Sequence, residues 1–489
     1  MAQATTRTAR KGVLLERSEQ MATLVEQLRA VTETMSGRLV LVGGEAGVGK
    51  TALVRRFADD NGDRARTLFG ACDPLFTPRP LGPFLDVAEA IAGELNELVL
   101  AGGRPHEVAT TLMKELRANA PAIVILEDLQ WADEATLDVL RLLGRRMEDV
   151  PALVVITYRD DELDRGHPLR LLLGELRGDA TARMKLAPLS ASAVTELAGS
   201  IGIDAEKLYT QTGGNPFFVT EVLAAGDAEI PISIRDAVLA RAARVSPEAR
   251  LLLEAVAIVP PHAELWLLEA VAPDVFNRLG ECIASGMLSA DASEVTFRHE
   301  LARLAIAESV SPDQALALHR LVLNVLSTPP AGAPDLARLA HHADEARNVE
   351  AVLRFAPAAG ARASALGAHR EAAAQYARAL RYMDAAPPRR QAELLQEHSH
   401  ECFLIDRFGP AIASELLALE RYRQLADRLK EGDSLRRLAA LQRCGGNSRE
   451  ADKSIRLAIE TLESLPESLE LSLAYCGLTM VCMNADDAE

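Results

Sequence analysis

The sequence predicts an α/β core at the N-terminal end, then smaller helical and mixed regions, and an all-α part at the C-terminal end. Short apolar, β-branched runs at 38–42, 121–126 and 152–156 alternate with helical patterns in the first third of the chain. Such runs are typical of buried parallel strands. Beyond about residue 345 alanine becomes abundant and the strand patterns disappear, which indicates packed helices.

Composition and charge limit the function classes. The chain has 489 residues, of which 48% are hydrophobic and 25% charged, enough for roughly three domains. The net charge of −17 and a pI of about 5.2 argue against a large DNA-binding surface, although a local basic patch stays open. No apolar run approaches the roughly 20 residues that span a bilayer, and residues 1–12 lack the apolar segment of a signal peptide. We therefore expect a disordered tail at 1–12, no membrane contact and a cytoplasmic location.

The cysteines indicate a reducing compartment. They are scattered, with no CxxC pair and no histidine cluster nearby: Cys72, Cys282, Cys402, Cys444, Cys476 and Cys482. This pattern favours buried free thiols, with zinc binding or disulfides as the alternatives.

A glycine-rich stretch follows the first apolar run and precedes a helical pattern. It matches GxxxxGK[ST] over Gly44, Glu45, Ala46, Gly47, Val48, Gly49, Lys50 and Thr51. Glycines allow backbone N–H groups to converge on phosphate oxygens, and a helix N-terminus adds a favourable dipole. Lys50 would place its charge at the β- and γ-phosphates, and the Thr51 hydroxyl would bind Mg²⁺. The strand–loop–helix context predicts ATP or ADP binding rather than a chance glycine turn.

Two carboxylates, Glu127 and Asp128, end the second apolar run. A buried central strand delivers its last side chains to the crevice where nucleotides bind. One carboxylate can hold the Mg²⁺ shell with Thr51 while the other orients the attacking water, but the sequence does not say which. The alternative is an acidic strand end that faces solvent.

The third apolar run ends at Thr157, Tyr158 and Arg159. Because parallel strands end at one edge of a sheet, Arg159 is expected to point at the same crevice. A guanidinium there can contact the γ-phosphate and act as a polar sensor. The alternative is a surface ion pair with Asp160 or Asp161.

Residues 127–133 read EDLQWAD, which resembles the extended Walker B motif of the STAND class of P-loop ATPases. The chain is most similar to the large ATP-binding LuxR-type transcriptional regulators related to the maltose-regulon activator. Four further stretches carry the resemblance: LLERSE at 14–19, TYR at 157–159, TGGNPFF at 212–218 and FRHE at 297–300. Together they cover about residues 13–310. Glu127 departs from the aspartate that many relatives carry at this position.

The resemblance implies roles for four residues outside the phosphate loop. Leu15 and Arg17 would lie on the adenine side, and Pro216 would pack near the adenine. His299 would reach the β-phosphate of ADP and hold the molecule closed. Two structural alternatives stay open: Pro216 starts a helix at its first turn, or His299 is a surface histidine in an ionic cluster.

The predicted architecture is an α/β P-loop NTPase core followed by a helical lid, a winged helix and all-α tetratricopeptide-like repeats. The boundaries are a tail at 1–12, the ATPase domain at 13–188, the lid at 189–230, the winged helix at 231–310, a helical linker at 311–345 and the repeats at 346–489. Two amphipathic helices and a β-ribbon within 286–300 favour the winged helix. The acidic residues Asp291 and Glu294 argue against DNA contact there, and the resemblance implies an internal clamp.

A weak repeat runs through the C-terminal part, with spacings of 39 and 40 residues. The repeated positions are Ala372, Tyr376 and Ala379; Ala411, Glu415 and Ala418; and Ala451, Ile455 and Ala458. Gly367 and Gly446 stand where a tight turn between paired helices is needed. Stacked pairs would form a curved scaffold with a concave binding face, whereas the alternative is a non-repetitive bundle. Because the chain ends inside helical sequence, we expect a truncated array. The resemblance implies a C-terminal helix-turn-helix, so we expect DNA contact only through a domain missing from this chain.

These observations together predict a nucleotide-operated switch with slow hydrolysis of ATP to ADP and phosphate. ADP would keep the core, lid and winged helix closed, an unknown inducer or protein would bind the repeats, and ATP-bound chains would self-associate. The complete regulator would control transcription. Two alternatives are the ATPase module of a signalling enzyme, such as a nucleotide cyclase or kinase, and a scaffold that the nucleotide only stabilises. Intact Lys50, Thr51 and Asp128 argue against the scaffold.

Overall fold

The computed structural model describes residues 14–72, 78–176, 178, 180–199, 203–225, 233–260 and 262–486. The predicted tail at 1–12 lies outside the described residues. The same holds for 231 and 232, at the predicted start of the winged helix, and for 487–489 at the end of the chain.

A five-stranded parallel sheet forms the centre of the N-terminal part. Its strands are β1 (Arg38–Gly43), β2 (Arg66–Ala71), β3 (Ala122–Glu127), β4 (Ala152–Tyr158) and β5 (Thr181–Lys185), in the spatial order β2-β3-β4-β1-β5. Neighbouring strands are parallel throughout, so their carboxyl ends meet at one edge. The parallel α/β core predicted from the sequence is confirmed.

The sequence predicts β1, β3 and β4 but not the two outer strands. β2 exposes Arg66 and Phe69, and β5 lies at the sheet edge with side chains that are half-buried or exposed. Neither strand therefore has the continuous apolar run that marks a strand buried on both faces. Pairing with β3 and β1 makes these segments strands.

Helices cover both faces of the sheet. They are α1 (Ser18–Thr34), α2 (Lys50–Asn61), α3 (Gly82–Ile91), α4 (Gly93–Leu100), α5 (Pro105–Ala118), α6 (Glu134–Arg145) and α7 (Pro168–Glu175). Successive side chains of a strand point to opposite faces. Val40 and Val42 of β1 therefore join the apolar cluster of α1 and α2, whereas Leu39 and Leu41 join the cluster of α3 to α7.

Three short helices follow β5 and occupy the residues of the predicted lid. They are α8 (Ala191–Ala198), α9 (Ala205–Thr212) and α10 (Pro216–Ala225). The Ser190 hydroxyl caps α8 by accepting a hydrogen bond from the Ala193 N–H at 3.2 Å, which is the usual role of serine at this position. Apolar side chains of the three helices form a separate small cluster that includes Val194, Leu208 and Val222.

The next region combines five helices with a three-stranded antiparallel sheet. Its elements are α11 (Ile234–Ala242), α12 (Pro247–Ala257), β6 (Ala263–Glu264), α13 (Leu265–Val271), α14 (Leu279–Ala284), β7 (Leu288–Ala290), β8 (Glu294–Phe297) and α15 (Glu300–Ser309), with the strand order β6-β8-β7. The two predicted amphipathic helices are α11 and α12, and the predicted ribbon is β7 with β8. β6 has two residues and therefore leaves no sequence pattern. The winged-helix assignment stays a prediction.

The rest of the described chain is helical. Its helices are α16 (Pro312–Leu326), α17 (Leu336–Glu345), α18 (Val349–Ala365), α19 (His369–Leu380), α20 (Pro388–Leu404), α21 (Phe408–Gln424), α22 (Arg428–Cys444), α23 (Ser448–Glu463) and α24 (Leu469–Asp486). Each of these helices packs against the next one. Because α16 packs on α17 and α17 packs on α18, the series of packed helices already runs through the segment 311–345 that the sequence assigns to a linker.

The repeated positions of the sequence are buried. All nine lie on α19, α21 and α23. Gly367 and Gly446 have φ of 76° and 81° in the turns before α19 and α23, and Asp406, with φ of 59°, takes the equivalent place before α21. The small residues of the repeat therefore mark helix contacts, and its glycines mark turns.

The cysteine prediction is correct for three residues and wrong for two. Cys72, Cys282 and Cys402 are buried, whereas Cys444 and Cys476 are exposed. The exposed pair lies on α22 and α24 at positions that no described element covers. Cys482 lies outside the described side chains.

Within the described residues, no helix is both long and apolar enough to cross a bilayer.

Candidate nucleotide site

The glycine-rich loop connects β1 to α2. Gly47 and Gly49 have φ of 77° and 99°, a region that residues with a Cβ rarely adopt. Lys50 is the first residue of α2, and its Nζ donates to Gly44 O at 2.6 Å and to Glu45 O at 2.9 Å. Burial is the main cause that lowers the pKa of Lys50. The loop therefore holds a largely desolvated cation beside a helix N-terminus, an arrangement that suits an anionic ligand.

The two carboxylates after β3 point in different directions. Glu127, the last residue of the strand, is 7% exposed. Its Oε2 lies 3.7 Å from Arg55 Nη2 of α2. Burial raises the pKa of Glu127, while Arg55 and a hydrogen bond with Thr51 lower it. Glu127 therefore faces the start of α2, beside the residue predicted to bind Mg²⁺, and not solvent.

Asp128 turns toward β4, since its backbone has φ of 56°. Its N–H donates to Thr157 Oγ1 at 3.0 Å, and its Oδ1 accepts from Gln130 Nε2 at 3.1 Å. Arg159 Nε lies 3.9 Å from the same oxygen. Asp128 thus lies between the ends of β3 and β4, where the parallel topology predicts a crevice.

Arg159 lies at the end of β4 and is 6% exposed. Its guanidinium stacks over Trp131, 4.5 Å from the ring centroid, and its Nη1 donates to Glu162 Oε1 at 2.5 Å. Its N–H donates to Gln130 Oε1 at 3.0 Å. In the described structure Arg159 therefore contacts Glu162 and Asp128. Within the described chain it does not form the surface ion pair with Asp160 or Asp161 that the sequence left as an alternative. The position agrees with the predicted crevice.

The predicted lid, which contains α8 to α10 and the segments between them, packs directly on the phosphate loop. Asn215 Nδ2 donates to Ala46 O at 2.9 Å, and the Phe217 N–H donates to Gly47 O at 3.2 Å. Asn215 also caps α10, because its Oδ1 accepts from two N–H groups of the first turn. Pro216 is the first residue of α10, as the helix-start alternative assumed, and it also lines the cavity beside the loop. Its packing near an adenine stays a prediction.

The N-terminal segment closes the loop from another side. Arg17 is 5% exposed, and its Nη2 donates to Val48 O at 3.1 Å and to Ala187 O at 2.7 Å. This guanidinium therefore joins the phosphate loop to the entrance of the lid through their carbonyl groups. Leu15 lies beside it and lines the same cavity.

His299 lies between β8 and α15 and reaches the lid. Its ring centroid is 4.4 Å from that of Phe217, and the ring lines the cavity. Desolvation by the surrounding protein, together with Arg241 and Arg298, lowers the pKa of His299 to about 4. Glu300 is paired within α15 instead. By its exposed surface His299 agrees with the surface alternative considered from the sequence, but it forms no ion pair among the described residues, so the ionic cluster of that alternative is not present there.

An ion pair that no motif predicts joins the lid to the region of α11–α15. Arg241 of α11 pairs with Glu221 of α10, and its Nε donates to Ser285 O at 3.1 Å. Glu221 is 4% exposed, and burial raises its pKa. Both side chains line the cavity. Sequence analysis misses the pair because each residue alone resembles an ordinary charged residue of an amphipathic helix.

Gln130 is the second functional candidate that the sequence reasoning misses. It belongs to the motif at 127–133, but only the structure shows that its amide connects Asp128 to the Arg159 backbone. Its place two residues after Asp128, inside the motif at 127–133, is the one signal that points to it.

These elements enclose a cavity of about 500 Å³, within the usual range for small-molecule sites. Seven predicted residues line it: Leu15, Arg17, Gly47, Val48, Gly49, Pro216 and His299. The other predicted residues form the rest of the loop and the polar cluster at the carboxyl edge of the sheet: Gly44, Glu45, Ala46, Lys50, Thr51, Glu127, Asp128 and Arg159. The site therefore has a cavity on one side of the phosphate loop and a polar edge on the other.

The parallel sheet, the phosphate loop between β1 and α2 and the acidic end of β3 define a P-loop NTPase domain. Residues 13–156 match the model of the AAA ATPase domain family. The match ends within β4 and covers less than a third of the chain.

The comparisons with individual proteins reach further along the chain. An uncharacterized protein of Rhizobium meliloti (strain 1021) is 24% identical over 430 residues, and the match covers 74% of this chain and 42% of that protein. The chain therefore spans less than half the length of this relative.

Two solved structures illustrate the structural similarity. One is a Signal Transduction ATPase with Numerous Domains (STAND) protein with a tetratricopeptide repeat sensor from Pyrococcus horikoshii. It has 16% identity and a TM-score of 0.48 over 97% of this chain and 80% of that chain. The Orc1 protein of Aeropyrum pernix in complex with DNA has 15% identity and a TM-score of 0.31 over 61% and 93%. Both TM-scores are below 0.5, so these likenesses say nothing about ligand or activity here.

Proposed function

We propose that the chain is an ATP/ADP-operated switch, reset by slow ATP hydrolysis. One observation carries this proposal: the N-terminal segment, the phosphate loop, the lid and the region of α11–α15 all contribute to the wall of a single cavity. A nucleotide in this cavity would contact all four segments. Its affinity would depend on their arrangement, and by linkage their arrangement would depend on the nucleotide.

The phosphate side of the site fits a nucleotide with Mg²⁺. Lys50 would turn its ammonium from the loop carbonyls toward the β- and γ-phosphate oxygens. Thr51 and Glu127 would hold the metal, because Glu127 Oε1 is a buried oxygen without a hydrogen-bond partner among the described residues. Mg²⁺ prefers such oxygen ligands and neutralises phosphate charge. This assigns the metal to Glu127 and the attacking water to Asp128.

Arg159 would sense the terminal phosphate. It is held by stacking on Trp131 and by Gln130, and it lies 3.9 Å from Asp128. A guanidinium at this edge can stabilise charge on a γ-phosphate. Arg159 lies beside Asp128, which we propose orients the attacking water. Contact between the Arg159 guanidinium and the γ-phosphate would therefore also affect Asp128.

The cavity side would hold the base and close over the diphosphate. Leu15 and Pro216 would flank the adenine, while Arg17 keeps the loop and the lid entrance together. His299 would contact the β-phosphate, and the neighbouring Arg298, which also lines the cavity, adds positive charge that suits an anion. ADP would thereby tie the α11–α15 region, which we assign as a winged helix, to the phosphate loop as an internal clamp.

Signals would enter through the C-terminal helices, which we assign to tetratricopeptide-like repeats. α19 contacts the ATPase core, since Arg370 Nε lies 2.7 Å from Glu134 Oε1 and its N–H donates to Glu134 Oε2 at 3.1 Å. Beside this contact, burial and the nearby Asp133 raise the pKa of Glu371 to about 8. Because Asp133 and Glu134 begin the helix after the acidic strand, movement of α19 would reach the polar edge of the site.

A second cavity, of about 470 Å³, lies among α19 to α22 and is our candidate site for the inducer. It is lined by Tyr376 and Tyr422 and by groups of both charges, among them Arg389, Glu397 and Lys430. This lining suits a small polar ligand or the polar side chains of a protein partner. Such a partner acts as a signal only if it binds the open form more tightly than the closed form.

In its finer form, the proposal is that this switch controls a LuxR-type transcriptional regulator. The motifs at 212–218 and 297–300 support this, because their Asn215, Pro216 and His299 all lie at the loop or the cavity. ATP-bound chains would self-associate through the core. A separate domain would contact DNA, since the net charge of −17 does not favour contact by this chain.

The test of the switch is to identify the nucleotide that the purified chain carries. Denaturation followed by ion-exchange chromatography is expected to release close to equimolar ADP, because a diphosphate that contacts all four segments would dissociate slowly. The Lys50→Ala chain, purified in the same way, controls for background nucleotide. A chain that carries no nucleotide and also fails to bind added ADP would contradict the proposal.

Replacement of His299 by alanine is expected to speed ADP release about 10-fold, which corresponds to about 1.4 kcal/mol for a lost hydrogen bond. ATP-dependent oligomers should also increase, because the closed state loses a contact. Displacement of a fluorescent ADP analogue and size-exclusion chromatography measure these effects. His106→Ala, on the exposed surface of α5, is the matched control. An unchanged ADP off-rate in His299→Ala would rule out the clamp role.

A further inference from the structure

Three histidines converge where α16 meets α17, outside the nucleotide site. His319 lies on α16, and His341 and His342 are neighbours on α17. One ring nitrogen of each lies within 4.8 Å of one nitrogen of both others, and the Nδ1 atoms of His319 and His342 are 2.9 Å apart. The packing of two helices thus assembles a compact cluster of three nitrogen donors.

The spacing of the three nitrogens suits a single metal ion. Zn²⁺ binds imidazole nitrogen at about 2.0–2.1 Å with tetrahedral geometry, which places ligand nitrogens about 3.3–3.4 Å apart. The observed separations, from 2.9 Å to at most 4.8 Å, bracket this value, so small ring rotations would complete the site. A hydrogen bond between His319 and His342 alone would not explain why the third ring points to the same place.

The surroundings keep the rings neutral, which is the form that binds metals. His319 and His342 are 7% and 1% exposed, and His341 is half-buried. Burial lowers the pKa of His319 to about 4. Burial, together with His319 and Arg378, lowers the pKa of His341 to about 3.

The charged groups around the cluster are balanced. Three arginines act on the histidines, and each is paired with a carboxylate: Arg338 with Glu264 at 2.6 Å, Arg378 with Asp344 at 3.2 Å and Arg303 with Glu300 at 2.7 Å. These pairs largely cancel the positive field that would otherwise oppose a divalent cation.

We propose that His319, His341 and His342 bind one divalent transition-metal ion, Zn²⁺ in the first place, with a fourth position for water or another ligand. Imidazole nitrogens suit Zn²⁺, whereas Mg²⁺ and Ca²⁺ require oxygen ligands. Three protein ligands on a tetrahedral ion leave one position open.

The ion would join the nucleotide-binding half of the chain to the helical array. α16 packs on α13, in the region that lines the nucleotide cavity, and α17 packs on α18 of the helical array. Arg338, four residues before His342 on α17, bonds Glu264 of β6 at the same junction. The metal would therefore stiffen the connection that a signal from the array must cross. The site stands apart from the proposed switch, and its test needs no nucleotide.

Titrations of the full chain with Zn²⁺ and Co²⁺ test the site directly. After treatment with a chelator and dialysis, competition with a chromophoric chelator is expected to show one saturable Zn²⁺ site per chain. Co²⁺ is expected to give the visible d–d bands of a four-coordinate site without the near-ultraviolet bands of cobalt–thiolate bonds. No saturable site, or thiolate bands that account for all bound cobalt, would overturn the proposal.

Single variants locate the metal. The first variant is His341→Gln, which should disturb packing least of the three because His341 is only half-buried. The second variant is His319→Gln. Each is expected to weaken Zn²⁺ binding by more than about 100-fold, because loss of a direct ligand exceeds the 10–100-fold effect of an outer-shell partner. Chelator should lower the thermal unfolding midpoint of the wild type but not of His341→Gln.

His398→Gln is the matched control. His398 lies 3.4 Å from Cys402 Sγ on α20 and is, like His341, a half-buried histidine beside a second metal-binding side chain. Its variant should keep wild-type Zn²⁺ affinity because it lies outside the cluster. Wild-type affinity in both His341→Gln and His319→Gln would overturn the assignment. So would loss of the site in His398→Gln with binding retained in the other two.

Discussion

Alanine in place of Lys50 is expected to weaken binding of both ATP and ADP by more than about 100-fold, or about 2.7 kcal/mol. Lys50 is the only cationic residue in 44–51, and its ammonium is already desolvated at the loop. Hydrogen bonds between a charged donor and phosphate contribute about 1.5–3 kcal/mol each. Alanine favours helix, so α2 should persist. Isothermal titration calorimetry with ADP and with ATP measures the change.

The control for this experiment is an exposed lysine of the same domain. Lys114 of α5 pairs with Glu94 at 2.6 Å on the surface, and Lys114→Ala should leave ADP affinity unchanged. Thermal unfolding of both variants separates loss of ligand contact from loss of fold. Wild-type ADP affinity in a folded Lys50→Ala chain would refute the nucleotide site as a whole.

Substitutions of the two carboxylates after β3 are expected to change ATP hydrolysis and Mg²⁺ dependence in different ways. Asp128→Asn should reduce ATP hydrolysis by more than about 100-fold while ATP still binds, because positioned bases contribute about 10²–10⁴-fold. Glu127→Gln should also reduce hydrolysis, but in addition it should remove most of the Mg²⁺ dependence of ATP affinity, since Glu127 faces Thr51. Single-turnover hydrolysis, and ATP binding with and without Mg²⁺, distinguish the two variants.

Asp63→Asn, on the exposed turn after α2, is the control for removing a carboxylate. If Asp128→Asn loses the Mg²⁺ dependence and Glu127→Gln keeps it, the two assigned roles are reversed. If the wild-type chain hydrolyses no ATP under any nucleotide or effector condition tested, the switch proposal is wrong. The alternative, a scaffold that the nucleotide only stabilises, then explains the site.

The phosphate loop could be predicted because its chemistry is local. Eight consecutive residues supply the glycine backbone, the ammonium and the hydroxyl, and the strand and helix beside them have clear patterns. The ends of β3 and β4 could be predicted for a related reason: parallel strands end at one edge, so Asp128 and Arg159 had to lie near each other once both strands were identified. The observed separation of 3.9 Å agrees with this argument.

Contacts between segments that are distant along the chain could not be predicted in the same way. Arg17 joins Val48 and Ala187 through carbonyl groups, and any residue type offers a carbonyl. The direction of Glu127 toward Thr51 depends on how β3 packs against α2. The histidines of the proposed metal site carry no recognisable ligand spacing, because His319 lies on a different helix from His341 and His342.

The amino-acid sequence by itself determined the parallel core, the phosphate loop, the acidic strand end and the buried small positions of the C-terminal helices. These features depend on neighbouring residues or on a regular period, so the covalent order of the chain already contains them. Only the tertiary structure decided that the N-terminal segment, lid and α11–α15 region share one cavity, and that three histidines meet at the junction with the array. Such contacts depend on how preformed helices and strands pack, and the same surface residues could have met other partners in a different packing.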